Sequence, residues 1–438
     1  MRRLAVLLIA ACAVVPMWSS HAAAHVDAAT AVVRPAALVD VVKVEGAIDR
    51  TMNDYLQGTI AEAEAARSTL VLQIDTAGTL DVDPIALADM VARASVPVIV
   101  WVGPPPAQAA GAGLLLVYAS SLAAVAPGAA TGPLLPVDLG HPDEFTSEEV
   151  RPYVARWQTM HGRSPSVEFP THALTGAEAE QAGIIQTDAF TVPQLLQKID
   201  GQTVQTADGR VTLDTAGSSG DQVLVRFHDL GPGKRVLHAV ASPTWIYVLL
   251  VFGLAAIAFE LTQPGFGFAG FSGVGMLALG IYGITAVPVF WPGLALLLAG
   301  IALMVADVLV RRLGWMTYLG LVTFVAGSVL AFRGVAPAIG ISRWLIGGTV
   351  FASLLYYGFA LTVAIQSRER ITSTQRGLVG LPGETRGELA PEGPVYVKGT
   401  LWKGRSSNGP IPPGTRIRVR GVDGLILRVE PEEDEGSE

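Results

Sequence analysis

Three hydrophobic patterns follow one another along this chain. Between Thr244 and Gln366, apolar runs of near-spanning length recur with few charges between them. Thr244–Leu261, Phe271–Phe290, Leu294–Val310, Tyr318–Phe332 and Trp344–Ile365 are the candidates, the second and fourth carrying more glycine. A helix needs about 20 apolar residues to cross a hydrocarbon core of roughly 30 Å. Backbone groups cannot stay unpaired in lipid, so each run is expected to be a membrane helix. From about Val26 to Val240 short apolar runs alternate with helical spacing instead. Leu38–Val44, Leu70–Ile74, Val96–Val102 and Leu122–Ala126 read as strands. Thr51–Arg67 and Pro84–Ala94 read as helices, and Ala107–Ala119 is small and apolar. Strands alternating with helices predict an α/β domain with parallel pairings. From about Arg376 to Pro431 the pattern shortens again, to strands such as Val395–Val397, Arg416–Val419 and Leu425–Val429. Turns at Leu381-Pro382-Gly383, Pro391-Glu392-Gly393, Asn408-Gly409 and Pro412-Pro413-Gly414 separate them. In one strand Ile417 and Val419 point inward and Arg416, Arg418 and Arg420 outward, which a small closed barrel accommodates economically.

Composition agrees with a membrane protein. Half the residues are hydrophobic and 16% are charged, below the roughly 25% usual for soluble domains. The formal charge of -8 gives no reason to expect a nucleic-acid partner, and the acidic end, Glu430 to Glu438, reads as a solubilising tail. At the N-terminus Arg2 and Arg3 precede an apolar run from Leu4 to Val15, and Ala22-Ala23-Ala24 follow. That order predicts a secretory signal cleaved near Ala24, with an uncleaved first anchor as the alternative. Cys12 is the only cysteine, so its removal leaves a mature chain without disulfides or cysteine metal sites. The expected organisation is a signal at 1–24, an extracytoplasmic domain at 25–240 and a membrane domain of about five helices at 241–366. A cytoplasmic barrel at 376–431 and a tail at 432–438 complete it. Five spans place Arg311-Arg312 and the Arg368/Arg370 segment in the cytoplasm, in accord with the positive-inside rule.

Ordered motifs within the first two domains carry a family resemblance. Asp75-Thr76-Ala77-Gly78, the strand at 96–102 followed by Gly103-Pro104, and Ala107–Gly113 come in that order. Ala126-Pro127-Gly128, Leu174-Thr175-Gly176 and Gly183-Ile184-Ile185 continue it. Phe259-Glu260-Leu261 with Pro264-Gly265-Phe266-Gly267 follows the first apolar run. Together they resemble the NfeD family of membrane-bound proteins. The resemblance implies an exported domain of the ClpP/crotonase fold and, over Gly383–Gly399, Trp402 and Ile411 to Val429, an OB-fold barrel. It also implies a stomatin- or flotillin-like partner, a homo-oligomer and no cofactor. In proteolytic members of the family a Ser–Lys dyad cuts peptide bonds. The serine hydroxyl needs an adjacent base, and a lysine serves only if desolvation lowers its pKa.

Both dyad positions are degenerate here. Aligning Ala109-Ala110-Gly111-Ala112-Gly113 with the family's A-A-S-A-G puts Gly111 where the nucleophile belongs. Aligning the segment through Tyr153-Val154 to Gly162-Arg163 puts the lysine position near Phe145, and no lysine occurs between Lys43 and Lys198. The expectation is a protease fold without protease chemistry, its peptide groove formed by Gly78, Thr79, Gly111, Ala112 and Gly113. The alternative is a serine endopeptidase with a relocated nucleophile at Ser120 or Ser121, paired in space with His141, His161 or His172. The bland reading makes Ser120 and Ser121 turn residues and the histidines surface groups, with His161 at a helix C-terminus. No histidine pair has helical ligand spacing, so no metal is expected. Glu260 and Asp307, near helix ends in the membrane domain, are functional candidates by position. Structural roles suffice for both: Glu260 satisfying amides of the following turn, and Asp307 pairing with Arg311. Gly270, Gly273, Gly275 and Gly280 are expected to permit close helix packing.

Overall fold

The computed structural model describes residues 37–165, 168–217, 223–261, 267–310, 314–360, 363 and 377–432. The expected signal with Cys12, the turn residues Pro264-Gly265-Phe266, the arginines Arg311, Arg312, Arg368 and Arg370, and the end of the acidic tail lie outside the described residues.

Apolar strands of the first unit form one parallel sheet. Its six strands run in the order Val223–His228, Ala37–Glu45, Thr69–Asp75, Val98–Val102, Leu122–Val125 and Thr187–Asp188. Val98–Val102 and Leu122–Val125 are buried at every residue, as central parallel strands covered on both faces must be. Six helices connect and flank them: α1 (Arg50–Ala66), α2 (Pro84–Ala92), α3 (Ala112–Ala119), α4 (Ser147–Met160), α5 (Gly176–Gln181) and α6 (Val192–Ile199). Their starts follow local chemistry. Asp49 accepts the Met52 amide to open α1, Asp83 with Pro84 opens α2, and a Thr146/Glu149 capping box opens α4.

The apolar stretch 107–119 is not a single element. Gln108–Ala109 form a short strand paired with Ala130–Thr131, and α3 begins only after Gly111. The Thr76 amide donates to the Gln108 carbonyl at 2.8 Å and the Ala110 amide to the Thr76 carbonyl at 2.9 Å, drawing the first half away from the helix.

After α7 (Pro232–Val240) come α8 (Pro243–Glu260), α9 (Phe268–Ala286), α10 (Trp291–Leu309), α11 (Trp315–Leu330) and α12 (Arg343–Leu355). Among the described residues four segments are long and apolar enough to cross a membrane: α8, α9, α10 and the Pro337–Phe359 stretch containing α12. The fifth, α11, has 16 residues and packs along α10 as α9 packs along α8. Glycines set both approaches. A Cβ on Gly273 would meet the Gly253 carbonyl at 2.9 Å, and one on Gly320 the Gly300 carbonyl at 2.8 Å. Gly270 and Gly280 also lie against α8, but Gly275 has nothing within 4 Å of its Cβ position and does not serve packing.

The two hairpins are one pattern used twice. Gly253, Glu260, Gly267, Gly273 and Gly280 of α8–α9 recur at identical spacing as Gly300, Asp307, Gly314, Gly320 and Gly327 of α10–α11. The carboxylates do the same thing in each. Glu260 accepts the Gly267 amide and, at 2.9 Å, the Gly270 amide. Asp307, 4% exposed, accepts the Gly314 amide at 2.8 Å, the Thr317 amide at 2.9 Å and the Thr317 hydroxyl. Each acid therefore caps the helix after it, satisfying N-terminal amides that have no partner within that helix. That is the role foreseen for Glu260, while the Arg311 pairing foreseen for Asp307 falls outside the described residues. Exposed aromatics recur too, Phe268 and Phe271 on α9 matching Trp315 and Tyr318 on α11, as suits a membrane–water interface. Either acid replaced by alanine is expected to cost about 1–2 kcal/mol, read as a lowered thermal midpoint in detergent.

A closed barrel ends the chain, in the order Pro382–Thr385, Glu392–Val397, Thr400–Ser406, Ile426–Pro431 and Arg416–Asp423. Ile417 and Val419 are fully buried in it and Arg416, Arg418 and Arg420 are exposed, as the alternation predicts. Trp402 packs on its apolar core.

Candidate functional site

Gly111, the expected nucleophile position, lies at the N-terminus of α3. Gly111 caps that helix with φ 52° and ψ -123°, a backbone conformation that glycine reaches without Cβ strain. Its amide donates to the Pro133 carbonyl at 2.9 Å. A Cβ there would lie 2.4 Å from the Pro136 carbonyl oxygen and 2.5 Å from that of Ala77. No side chain fits at this position without moving backbone. Ala112 and Gly113 are buried behind it, with the Thr76 methyl where a Gly113 Cβ would go.

On the opposite lip Thr79 is fully buried. Its amide donates to the Val137 carbonyl at 3.1 Å, and its carbonyl accepts the Leu139 amide at 2.8 Å. Its hydroxyl donates to Asp138 Oδ2 at 3.2 Å. A Cβ on Gly78 would meet the Val137 carbonyl at 2.6 Å. Gly78, Thr79 and Gly111, three of the five residues expected to line a peptide groove, thus contact residues 133–139 of their own chain.

No base stands in for the missing lysine. Phe145 is half-buried against the apolar core of the α/β unit. Lys43 pairs with Glu45 at 2.6 Å and Lys198 with Asp188 at 2.6 Å.

Of the relocated-nucleophile residues, Ser121 and His161 line one cavity, but no serine–histidine pair is formed among the described residues. Ser120 is fully buried and donates its hydroxyl to the Val117 carbonyl at 2.8 Å, closing the C-terminus of α3. Among the described residues no hydrogen bond joins Ser120 or Ser121 to a histidine. His141 and His172 are exposed, as expected, but His161 is not a surface group. The strand Thr203–Thr206 covers it, leaving it 7% exposed with Nδ1 2.7 Å from the Gln205 carbonyl. Burial pulls its pKa below the ordinary histidine value, the Gln205 carbonyl opposing. Arg163 was quoted only as part of a motif, and its work is at α3. Its Nη2 donates to the carbonyls of Val117, Tyr118 and Ser120, an electrostatic C-cap for the helix that Gly111 begins. Burial brings its pKa down to about 10. Among the described residues no cluster of His, Cys, Asp and Glu could hold a metal.

Comparison with known proteins now gives the family. The NfeD integral membrane domain matches residues 244–362, and the NfeD-like C-terminal, partner-binding domain matches residues 375–431. Both matched domains are those of the NfeD family. The chain is 29% identical to the membrane-bound protease PH1510 of Pyrococcus horikoshii, over 92% of its own length and 95% of the relative's. A solved structure of the 1510-N membrane-bound stomatin-specific protease, a mutant in complex with a substrate peptide, matches 47% of this chain and 98% of its own, at 26% identity and a TM-score of 0.42. The C-terminal domain of the stomatin operon partner protein 1510-C from Pyrococcus horikoshii matches 14% of this chain and 95% of its own, at 44% identity and a TM-score of 0.14. The chain combines an α/β unit built on a six-stranded parallel sheet, apolar helices of a multi-pass membrane protein and a closed five-stranded barrel.

Proposed function

We propose that this NfeD-like protein is a proteolytically inactive membrane scaffold for a stomatin-like partner. The observation that carries the first half is Gly111: the nucleophile position has no side chain and no room for one. By alignment the lysine position falls near Phe145, with no lysine between Lys43 and Lys198, and a serine without a general base is a weak nucleophile. The partner half is supported by the partner-binding C-terminal domain and by the stomatin specificity named for 1510-N. Basic residues support an orientation with the α/β unit extracytoplasmic and the barrel cytoplasmic. Exposed Leu224 and Phe227 on the edge strand Val223–His228 are a surface that a homo-oligomer would cover.

The test is a serine-directed fluorophosphonate probe applied to intact protein in detergent, with the Pyrococcus horikoshii protease treated in parallel. The expected result is no labelling of this chain beside a labelled relative. Stoichiometric labelling, lost in a Ser120→Ala/Ser121→Ala variant, would replace the scaffold with a relocated nucleophile. Membrane crosslinking to a stomatin-like protein tests the partner.

A further inference from the structure

An extended peptide added as a strand beside Gly78–Leu80 would need the amide and carbonyl of Thr79. Both are occupied from within the chain. We propose that residues Leu134–Leu139 are a strand supplied in cis that fills the peptide groove of the α/β unit, and that the helical unit holds it there. An extended peptide, recognised through its backbone, enters only when this strand leaves.

One residue of the segment is paired as in a strand, and its two neighbours make the bonds. Asp138 is the parallel bridge partner of Thr79, with Thr79 donating to Val137 and Leu139 donating back. On its other side Thr79 is bridged in parallel by Ile48, the Ile48 amide reaching the Gly78 carbonyl and the Leu80 amide reaching that of Ile48. Backbone pairing is therefore complete on both edges of residues 78–80. The carbonyls of Pro136 and Val137 press on Gly111 and Gly78, which leaves no width for a second chain between the lips. Asp138 fixes the exit turn, its Oδ1 accepting the amides of Gly140 at 2.8 Å and His141 at 2.7 Å.

Leu139 ties the strand to the helical unit. Its amide belongs to the groove, but its carbonyl accepts the Ala336 amide at 2.8 Å from the connection between α11 and α12. Its side chain, 1% exposed, is buried with Leu80, Ile246, Tyr247 and Ala336 rather than in the α/β core. Gly140 beside it lies against Pro288, between α9 and α10, where its Cβ would come within 3.0 Å. Opening the groove thus requires undocking one residue shared by two units. This conclusion concerns access and is independent of whether any nucleophile remains.

Hydrogen exchange on the full chain in detergent reads this directly, apart from any labelling result. The amides of Thr79 and Leu139 are expected to exchange at least about tenfold more slowly than that of the exposed Asp143. Ala336→Pro deletes the amide that holds Leu139, and Ala336 has φ -57°, where the proline ring fits. It is expected to speed exchange across 137–141 about tenfold while leaving Val39–Val44 in the sheet unchanged. Should Ala336→Pro disturb Val39–Val44, Leu139→Ala is read by the same comparison. Thr79 and Leu139 exchanging as fast as Asp143 would overturn the cis strand. Unchanged exchange at 137–141 in a folded variant would overturn the hold by the helical unit.

Discussion

Gly111→Ser is expected to destabilise the chain by about 2–6 kcal/mol, more when combined with Phe145→Lys, and to gain no fluorophosphonate labelling. Two costs add. A side chain at φ 52° and ψ -123° sits in a sparsely populated region at about 1–3 kcal/mol. Its Cβ then meets two backbone carbonyl oxygens at 2.4 and 2.5 Å, and relieving such overpacking typically costs a further ~1–3 kcal/mol. Phe145→Lys adds a loss of its own, since the ring packs on the apolar core and an ammonium cannot take that place without its charge reaching water. Denaturant unfolding of the α/β unit within the full chain, followed by its tryptophans, measures the cost. A stable Gly111→Ser/Phe145→Lys protein that labels and cleaves peptides would show that Pro136 moves freely, and would remove the basis for an inactive scaffold.

The comparison with this family's proteases therefore turns on neighbours as much as on the two lost residues. A catalytic serine needs open space toward the substrate and a helix N-terminus behind it to stabilise the developing oxyanion. Here α3 supplies the helix end and Arg163 closes its other end, so the scaffold of the site persists. The space in front is what is gone, taken by residues 133–139. Loss of the dyad removes the penalty for filling that space. On the proposed reading of an inactive scaffold, the filled groove serves as a joint between two units of the chain.

Much of this was readable beforehand, for reasons that differ by element. The strands Ala37–Glu45 and Val98–Val102 announce themselves through β-branched runs, and α1 through its spacing and the Asp49 cap. The degeneracy at Gly111 and Phe145 needed only alignment to the motif. The cis strand was not readable. It is made of backbone hydrogen bonds between Thr79 and residues some sixty positions away, and such bonds leave no mark on side-chain pattern. The burial of His161 was missed for a related reason: Gln205, which receives its Nδ1, lies on a separate strand that no local spacing connects to α4. The repeated hairpins were legible and were overlooked. Comparing Gly253-to-Gly280 with Gly300-to-Gly327 shows them, with Glu260 and Asp307 at matching places, and that placement by itself points to helix caps.

Asp40→Ala is expected to cost about 1–3 kcal/mol, because it leaves Arg226, His228 and Ser68 without their shared acceptor. A single acid in the middle of the valine-rich strand Ala37–Glu45, 1% exposed, must be paid back by its partners. Arg226 donates to both carboxylate oxygens, from Nε at 2.7 Å and Nη2 at 2.8 Å. His228 Nε2 lies 2.8 Å from Oδ1, and the Ser68 hydroxyl donates to Oδ2. Arg226 and His228 both belong to the edge strand that leads into α7, so this one carboxylate pins the last strand before the helical unit. Burial by itself would raise the Asp40 pKa, but hydrogen bonds from Arg226, Ser68 and His228 outweigh it and hold the value at about 2. The folded value is depressed, so the stabilisation is full above the unfolded carboxyl range near pH 4 and is lost as pH falls toward about 2. Thermal unfolding of the wild type should therefore show a falling midpoint across that window, and Asp40→Ala should start lower and lose less. Equal acid sensitivity in the two proteins would mean that another carboxylate governs the transition and that the edge strand is held without Asp40.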